Sequence, residues 1–354
     1  MKPRRIAIVI LIVAIAVAWR PVVRPGAQAA LIVSDIYSTA LWHWNAAAFV
    51  TPPPRESETT ERLAGLDIRV SWWRPGWADQ HAAIMLVNGA GPAANDDPEV
   101  RRLAEALARG GYLVMLPEFP FLKERRFERG ATDQLDAAFA VLRGLPETAD
   151  RPVGAFGFSI GGGVLLAAAG HAGALARADY LAVLGTYYDL DTYLASVSTE
   201  TEERGGRLDH WPADPEVRDL LPAAAIAAFD DDGDKSMLRA ALDADGYAAV
   251  LARLRSLPPS MRATLERLSP RADWPTIRPP VFWLHDANDR FEPIAEAEAA
   301  VAAARGGRTE LTVSHLISHA APLGADRDTN GLGYWIGELG LLVGYAIAVL
   351  RAAE

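Results

Sequence analysis

Cysteine is absent from the 354-residue chain. That excludes disulfides, a thiolate nucleophile and Cys-ligated zinc, and it leaves the redox compartment unread. Net positive charge is absent too. The formal charge is −10, and phosphate contacts need clustered Lys and Arg, so no nucleic-acid partner is expected. Charged residues make up 23% of the chain against 50% hydrophobic, which allows a sizeable core and excludes global disorder. No internal repeat and no H-E-x-x-H pattern occur. His315 and His319 stand four apart, but a strand-like pattern precedes them, so no metal and no cofactor is expected. The segment 230–234 (DDDGD) resembles a calcium-loop fragment without the full pattern and terminal Glu, and reads as a solvated acidic loop.

The chain begins with basic MKPRR, and Ile6–Trp19 then carries no charge. A full membrane span needs about 20 apolar residues. Ala27-Gln28-Ala29 has the form of a signal-cleavage site, but Arg20 and Arg24 interrupt the approach to it. If Arg20 snorkels, the apolar stretch extends to Val23. Residues 1–25 are read as an uncleaved membrane anchor, with a cleaved signal segment and secretion as the alternative. The basic flank then places the rest of the chain outside the cytoplasm. Residues 26–56 read as an amphipathic segment and Pro-rich linker. Trp42, His43 and Trp44 suit either a lipid headgroup surface or packing on the domain. TPPPRESETTER (51–62) reads as stiff, and the folded domain is expected over 57–354.

Within that domain, apolar runs alternate with helical spacing. Strands are expected at 66–73, 82–89, 112–117, 152–158, 180–188, 279–286 and 309–316. Helices are expected at 98–111, 132–145, 161–173 and 293–307. Such alternation means an α/β fold with a doubly wound, mostly parallel sheet. Residues 189–275 break the rhythm with acidic, helical, Pro-punctuated sequence and no strand. They read as a helical cap insertion. The apolar stretch 331–350 contains Glu338 and five glycines, so it is read as a closing helix of the domain rather than a span.

One stretch carries chemistry. Gly157-Phe158-Ser159-Ile160-Gly161 matches G-x-S-x-G between an apolar strand and an Ala-rich helix. A serine on that sharp turn takes an unfavourable backbone conformation. Its neighbours two positions either side are expected to approach each other, and glycine avoids the clash. The helix N-terminus adds positive potential. A serine needs a base, and the base an orienting acid. In this architecture both follow the serine in the chain. VFWLHDANDRFEP supplies Asp286, Asp289 and Glu292; Asp289, a few residues past the strand end, is the expected acid. His319, in the loop SHAAP, is the expected base, with His315 the alternative. Oxyanion donors are expected from the Ile160 N–H and from the loop Asn88-Gly89-Ala90-Gly91, with Ala90 preferred and Gly89 the alternative.

These segments together resemble the α/β-hydrolase superfamily. The matching pieces are NGAG (88–91), GFSIGG (157–162), PPVFWLHDANDRFEP (279–293) and LISHAAP (316–322). Asn88 departs from the His-Gly pair common in the oxyanion loop, and Asp286 from the His-Gly usual after the acid strand; neither removes a catalytic side chain. GFSIGGG and the run from NGAG to LPEFP also resemble dienelactone-hydrolase-like and prolyl-oligopeptidase-like members. The resemblance covers about 57–350. It implies an eight-stranded type of sheet, a variable cap at 189–275 and a Ser–His–Asp mechanism. The expected protein is a membrane-tethered serine hydrolase of a carboxylic ester. A lipid-like substrate is suggested by the tether and the apolar segment LLPAAAIAAF (220–229). The alternatives are a peptidase or acyltransferase on the same triad, and a non-catalytic interaction domain on a hydrolase scaffold.

Overall fold

The apolar runs that alternate with helical sequence assemble into one sheet. In the computed structural model the described residues are 24–42, 44–45, 47–76, 82–304, 306–319, 321–322 and 332–353. The expected anchor lies outside them up to residue 23. The strands are β1 (Arg55–Leu63), β2 (Leu66–Arg74), β3 (Ala83–Val87), β4 (Leu113–Pro117), β5 (Val153–Phe158), β6 (Leu181–Leu184), the cap pair β7 (Thr201–Arg204) and β8 (Arg207–His210), then β9 (Val281–Asp286) and β10 (Thr309–Ser314). Eight of these form the main sheet in the order β1-β2-β4-β3-β5-β6-β9-β10. β1 pairs antiparallel with β2, and β2 antiparallel with β4. All later neighbours are parallel.

The register decides where function can sit. Val87 pairs with Gly157, Phe158 with Leu184, Leu184 with Leu284 and Ser314 with Asp286. The loops after β3, β5, β6, β9 and β10 therefore open on one rim. Strand side chains alternate between two buried faces. Met85, Val87, Ala155, Val183 and Trp283 pack on one face under the helices Ala131–Arg143 and Ser159–Gly170. Ile84, Leu86, Ala182 and Phe282 pack on the other. That second face is covered by three helices, α1 (Arg24–Trp42), α2 (Pro98–Arg109) and the closing helix, which spans Leu332–Ala352.

Four sequence expectations need correction. β1 begins at Arg55, inside the stretch read as linker. Its RESETTERL sequence is charged and mostly exposed, as suits an edge strand protected against further pairing. Ala29, Ile32, Val33 and Tyr37 of α1 are buried against the sheet side, so the domain boundary drawn at 57 cuts through elements that pack together. β6 is shorter than 180–188, because the chain leaves the sheet at Gly185. The cap at 189–275 is largely helical, but β7 and β8 form a hairpin in it across Gly205-Gly206. The closing helix packs one face on the domain, where Glu338 accepts hydrogen bonds from Ser314 Oγ at 2.8 Å and the His315 N–H at 2.9 Å. Gly333–Ala352 is also long and apolar enough to cross a membrane. Ile336 and Leu341 on its outer face are exposed.

One buried carboxyl fixes the cap to the sheet. Glu296, at the start of the helix Ile294–Ala303, accepts from the backbone N–H groups of Tyr188 (2.9 Å) and Asp189 (2.8 Å) and from Thr192 Oγ1 (2.5 Å). Burial, reinforced by the nearby Asp189 charge, pushes its carboxyl from the ordinary 4.5 up to about 7. Folded protein then holds a proton that unfolded protein has already lost. The stability contributed by this group falls as pH rises from about 4.5 to about 7, by about 3 kcal/mol, and stays down above that window. Glu296→Gln keeps an acceptor for the two N–H groups and a donor for Thr192. Urea midpoints measured across the window are expected to slope downward in wild type and to flatten in the variant.

Candidate active site

Ser159 sits where β5 meets its helix, with φ +49°; the preceding Phe158 is still extended. A side chain in the left-handed region is strained unless its surroundings hold it. The glycines remove what would block that arrangement. A Cβ at Gly157 would lie 2.6 Å from Gly162 Cα, and one at Gly161 would lie 1.9 Å from the Asn88 carbonyl oxygen. The expected approach of Gly157 and Gly161 to each other is corrected: Gly157 abuts Gly162 of the following helix, and Gly161 abuts the loop after β3. Thr186 Oγ1 donates to the Ser159 carbonyl oxygen at 2.6 Å and pins the turn from the β6 side.

The loop after β3, the expected oxyanion loop, is braced before it reaches the serine. Asn88 Nδ2 donates to Asn95 Oδ1 (3.2 Å), Asn95 Nδ2 to the Leu116 carbonyl (2.7 Å), and the Gly91 N–H to the Leu122 carbonyl (3.1 Å). A Cβ at Gly89 would stand 3.2 Å from Ser159 Cβ and 3.8 Å from its Oγ. Gly89, Ala90 and Ile160 all border the cavity at Ser159. The Ile160 N–H belongs to the first helical turn, where no intrahelical acceptor exists.

His319 reaches this cavity from the loop after β10. Its own backbone is left-handed at φ +50°, and its N–H donates to Asp286 Oδ2 at 3.1 Å. The imidazole Nδ1 lies 2.9 Å from Asp289 Oδ2. Asp289 Oδ1 in turn accepts from the N–H groups of Phe291 (2.7 Å) and Glu292 (3.0 Å). Gly185 passes beneath the pair with φ +48°, and a Cβ there would sit 3.0 Å from both Asp289 Oδ2 and His319 Nδ1. The Phe291 ring stacks on the imidazole at 4.7 Å. His315, the alternative base, is 3.2 Å from Glu338 Oε1 instead and does not line the cavity. The two histidines do not converge on a shared metal position.

Glu292 is the residue that sequence reasoning counted without giving it a role. It is completely buried. Ser159 Oγ donates to its Oε1 at 2.8 Å, and its Oε2 lies 2.9 Å from His319 Nδ1. One Nδ1–H cannot serve two carboxylates well. Asp289 takes that hydrogen bond, and Glu292 Oε2 is left with charge proximity but no donor. The serine hydroxyl is thus held by Glu292 rather than by His319. Ligand atoms of Asp289, Glu292 and His319 lie within 4.8 Å of one another, and these contacts to hydroxyl and imidazole account for the clustering. The signal in the sequence was a third carboxylate three residues past Asp289; its aim depends on the loop's fold.

Burial alone would raise Asp289, but the positive imidazole beside it holds its carboxyl below the usual carboxylate range. Burial raises Glu292, with His319 opposing. Burial would also keep His319 neutral, yet the Asp289 charge and then the Glu292 charge hold its pKa well above the ordinary 6.5. An NMR titration of the His319 imidazole should therefore show it protonated well past pH 6.5. Glu292→Gln removes one of the two charges that favour the proton, so its midpoint should move to lower pH. An unchanged midpoint would mean that Glu292 is neutral throughout.

No family model matches the chain, and no curated protein does. Solved structures do. Acylaminoacyl peptidase from Pyrococcus horikoshii superimposes with a TM-score of 0.54 at 11% identity, over 86% of this chain and 41% of that one. A 2,6-dihydroxy-pseudo-oxynicotine hydrolase gives 0.51 at 15% identity, over 91% and 80%. Dienelactone hydrolase from Anabaena variabilis gives 0.47 at 16%, over 84% and 97%. The chain spans less than half the length of the peptidase. With its eight-stranded sheet, serine elbow and late acid and histidine loops, this protein has the fold of the α/β-hydrolase superfamily.

Proposed function

We propose that this protein is a serine hydrolase that cleaves a carboxylic ester through an acyl-enzyme. One observation carries the reading: a serine in left-handed backbone at a strand–helix junction shares a cavity with a histidine already bound to a buried aspartate. At pH above the raised pKa of His319, where its Nε2 carries no proton, the Ser159 hydroxyl turns from Glu292 to that nitrogen and attacks the carbonyl carbon as its proton passes to the imidazole. Asp289 holds the ring's tautomer and stabilises its positive form. The N–H groups of Ile160 and of Ala90 or Gly89 receive the developing oxyanion. His319 then gives its proton to the leaving alcohol, and water reverses the steps to release the acid. Glu292, raised by burial, docks the hydroxyl at rest. The mechanism as derived needs no metal or cofactor.

We propose membrane attachment as part of this reading. The N-terminal apolar run would tether the chain, with the domain outside the cytoplasm. The closing helix is committed to the sheet by one face, so its exposed Ile336 and Leu341 suit contact with a bilayer surface rather than a crossing. Exposed Phe49, packed edge-on against Trp44 at 5.6 Å, offers a second apolar contact. Amide cleavage is the second reading, favoured by the superposition on acylaminoacyl peptidase.

A fluorophosphonate probe should label wild-type protein in the membrane fraction and fail on Ser159→Ala. His319→Ala should label slowly and His315→Ala normally. Absence of labelling in folded wild type would favour the non-catalytic interaction domain, and recovery in the soluble fraction would remove the tether. Matched ester and anilide substrates separate esterase from peptidase, and added alcohol acceptors reveal acyl transfer. In the same assay Gly185→Ala should lower kcat/KM about a hundredfold, because its methyl displaces the His319–Asp289 pair. Near-wild-type turnover there would mean that the pair tolerates the shift.

A further inference from the structure

The cavity at Ser159 continues well past the reacting atoms. Its volume is about 570 Å³, within the range that encloses a whole small ligand. It has two arms. The cap-side arm is bordered by Arg125, Glu216, Val217 and Leu220, and Arg125 and Glu216 form a half-exposed ion pair at 2.9 Å. The other arm runs between the sheet and the helices that cover its second face. Its floor is Phe158, Phe156, Leu184 and Ala182, which share that face by strand alternation. Its roof comes from Ile32 and Ile36 of α1 and from Leu342 and Ala346 of the closing helix. Tyr180 stands toward the far end, its ring over Gly154, where a Cβ would lie 2.2 Å from it. From Phe158 to Gly154 the strand advances roughly 13 Å. The floor and roof residues named here are uncharged; Asp97 and Glu99, at the N-terminus of α2, also border the cavity.

The chemistry assigns the arms. A leaving alcohol must receive its proton from His319, whose ring is stacked by Phe291 on the cap side. The alcohol portion therefore belongs in the cap-side arm with the polar rim. The apolar arm begins at Phe158, directly before the nucleophile, and takes what remains attached to the carbonyl. We infer that this arm binds a linear aliphatic acyl chain, so that the substrate is an ester of a medium- or long-chain fatty acid and the chain lies between the sheet and the α1–closing helix pair. The inference rests on the ester-hydrolase reading, which it narrows to a substrate class.

The test uses two ester series on the full-length protein in detergent below micelle formation. One varies the acyl group from acetyl through dodecanoyl on a fixed alcohol; the other varies the alcohol on a fixed acetyl. kcat/KM should climb about fourfold per added methylene in the acyl series, the factor expected for each methylene buried, until the chain meets Tyr180, and stay flat in the alcohol series. Ala346→Trp fills the roof and should lower the octanoyl-to-acetyl ratio at least tenfold. A flat acyl series, or a rise in the alcohol series alone, overturns the inference while leaving the hydrolase reading intact. If no ester is cleaved, the hydrolase reading fails. Titration of Ser159→Ala with a fluorescent dodecanoic acid then still decides the cavity: saturable binding weakened by Ala346→Trp supports it, and no saturable binding overturns it.

Discussion

The left-handed backbone at Ser159 is the constraint on which the rest is built. A side chain resists that conformation, so the surroundings must supply what it lacks. Gly157 and Gly161 let Gly162 and the Asn88 carbonyl come closer than any Cβ permits. Thr186 holds the serine's own carbonyl. Each contact comes from a different strand end, so the elbow exists only where β3, β5 and β6 finish level. The parallel register provides that rim. It also explains why strain is tolerated there: the sheet is buried on both faces and leaves the turn no other path.

Around the elbow the fold gathers one imidazole and two carboxyls whose side chains are fully buried. Asp289 is satisfied by two backbone N–H groups and the ring, so it keeps its charge. Glu292 is fully buried with one oxygen unserved, so its charge is disfavoured. Two carboxyls three residues apart in one loop thus acquire different protonation preferences: burial disfavours both charges, and the imidazole charge with the hydrogen bonds to Asp289 overcomes it there but not at Glu292. That difference lets one act as the imidazole's fixed partner while the other holds the hydroxyl. A second device of the same kind, Glu296, ties the first cap turn to the helix after the acid loop, so cap and acid loop share one anchor.

The helices over the second sheet face come from opposite ends of the chain. α1 and the closing helix meet there, and Tyr37 Oη donates to the Leu316 carbonyl at 2.9 Å, three residues before His319. The histidine loop is thereby steadied by the segment that follows the expected anchor. The same two helices border the apolar cavity beside Ser159, where a closer-packed cover would have closed it.

Much of this was legible in the sequence. Apolar runs at strand length separated by helical spacing determined the α/β class, because those two periods are what each element needs to bury a face. The spacing of Gly157, Ser159 and Gly161 marked the elbow, since a steric requirement confined to five residues leaves a local trace. β1 was hidden because an edge strand is charged for its own protection, and the hairpin because four-residue strands carry too little pattern. Asp289 and His319 could be chosen only by their order and loop position. The part played by Glu292 was settled by tertiary structure alone: its partner Ser159 lies 133 positions away, and only the register of a folded sheet determines which of three nearby carboxylates points at a given hydroxyl.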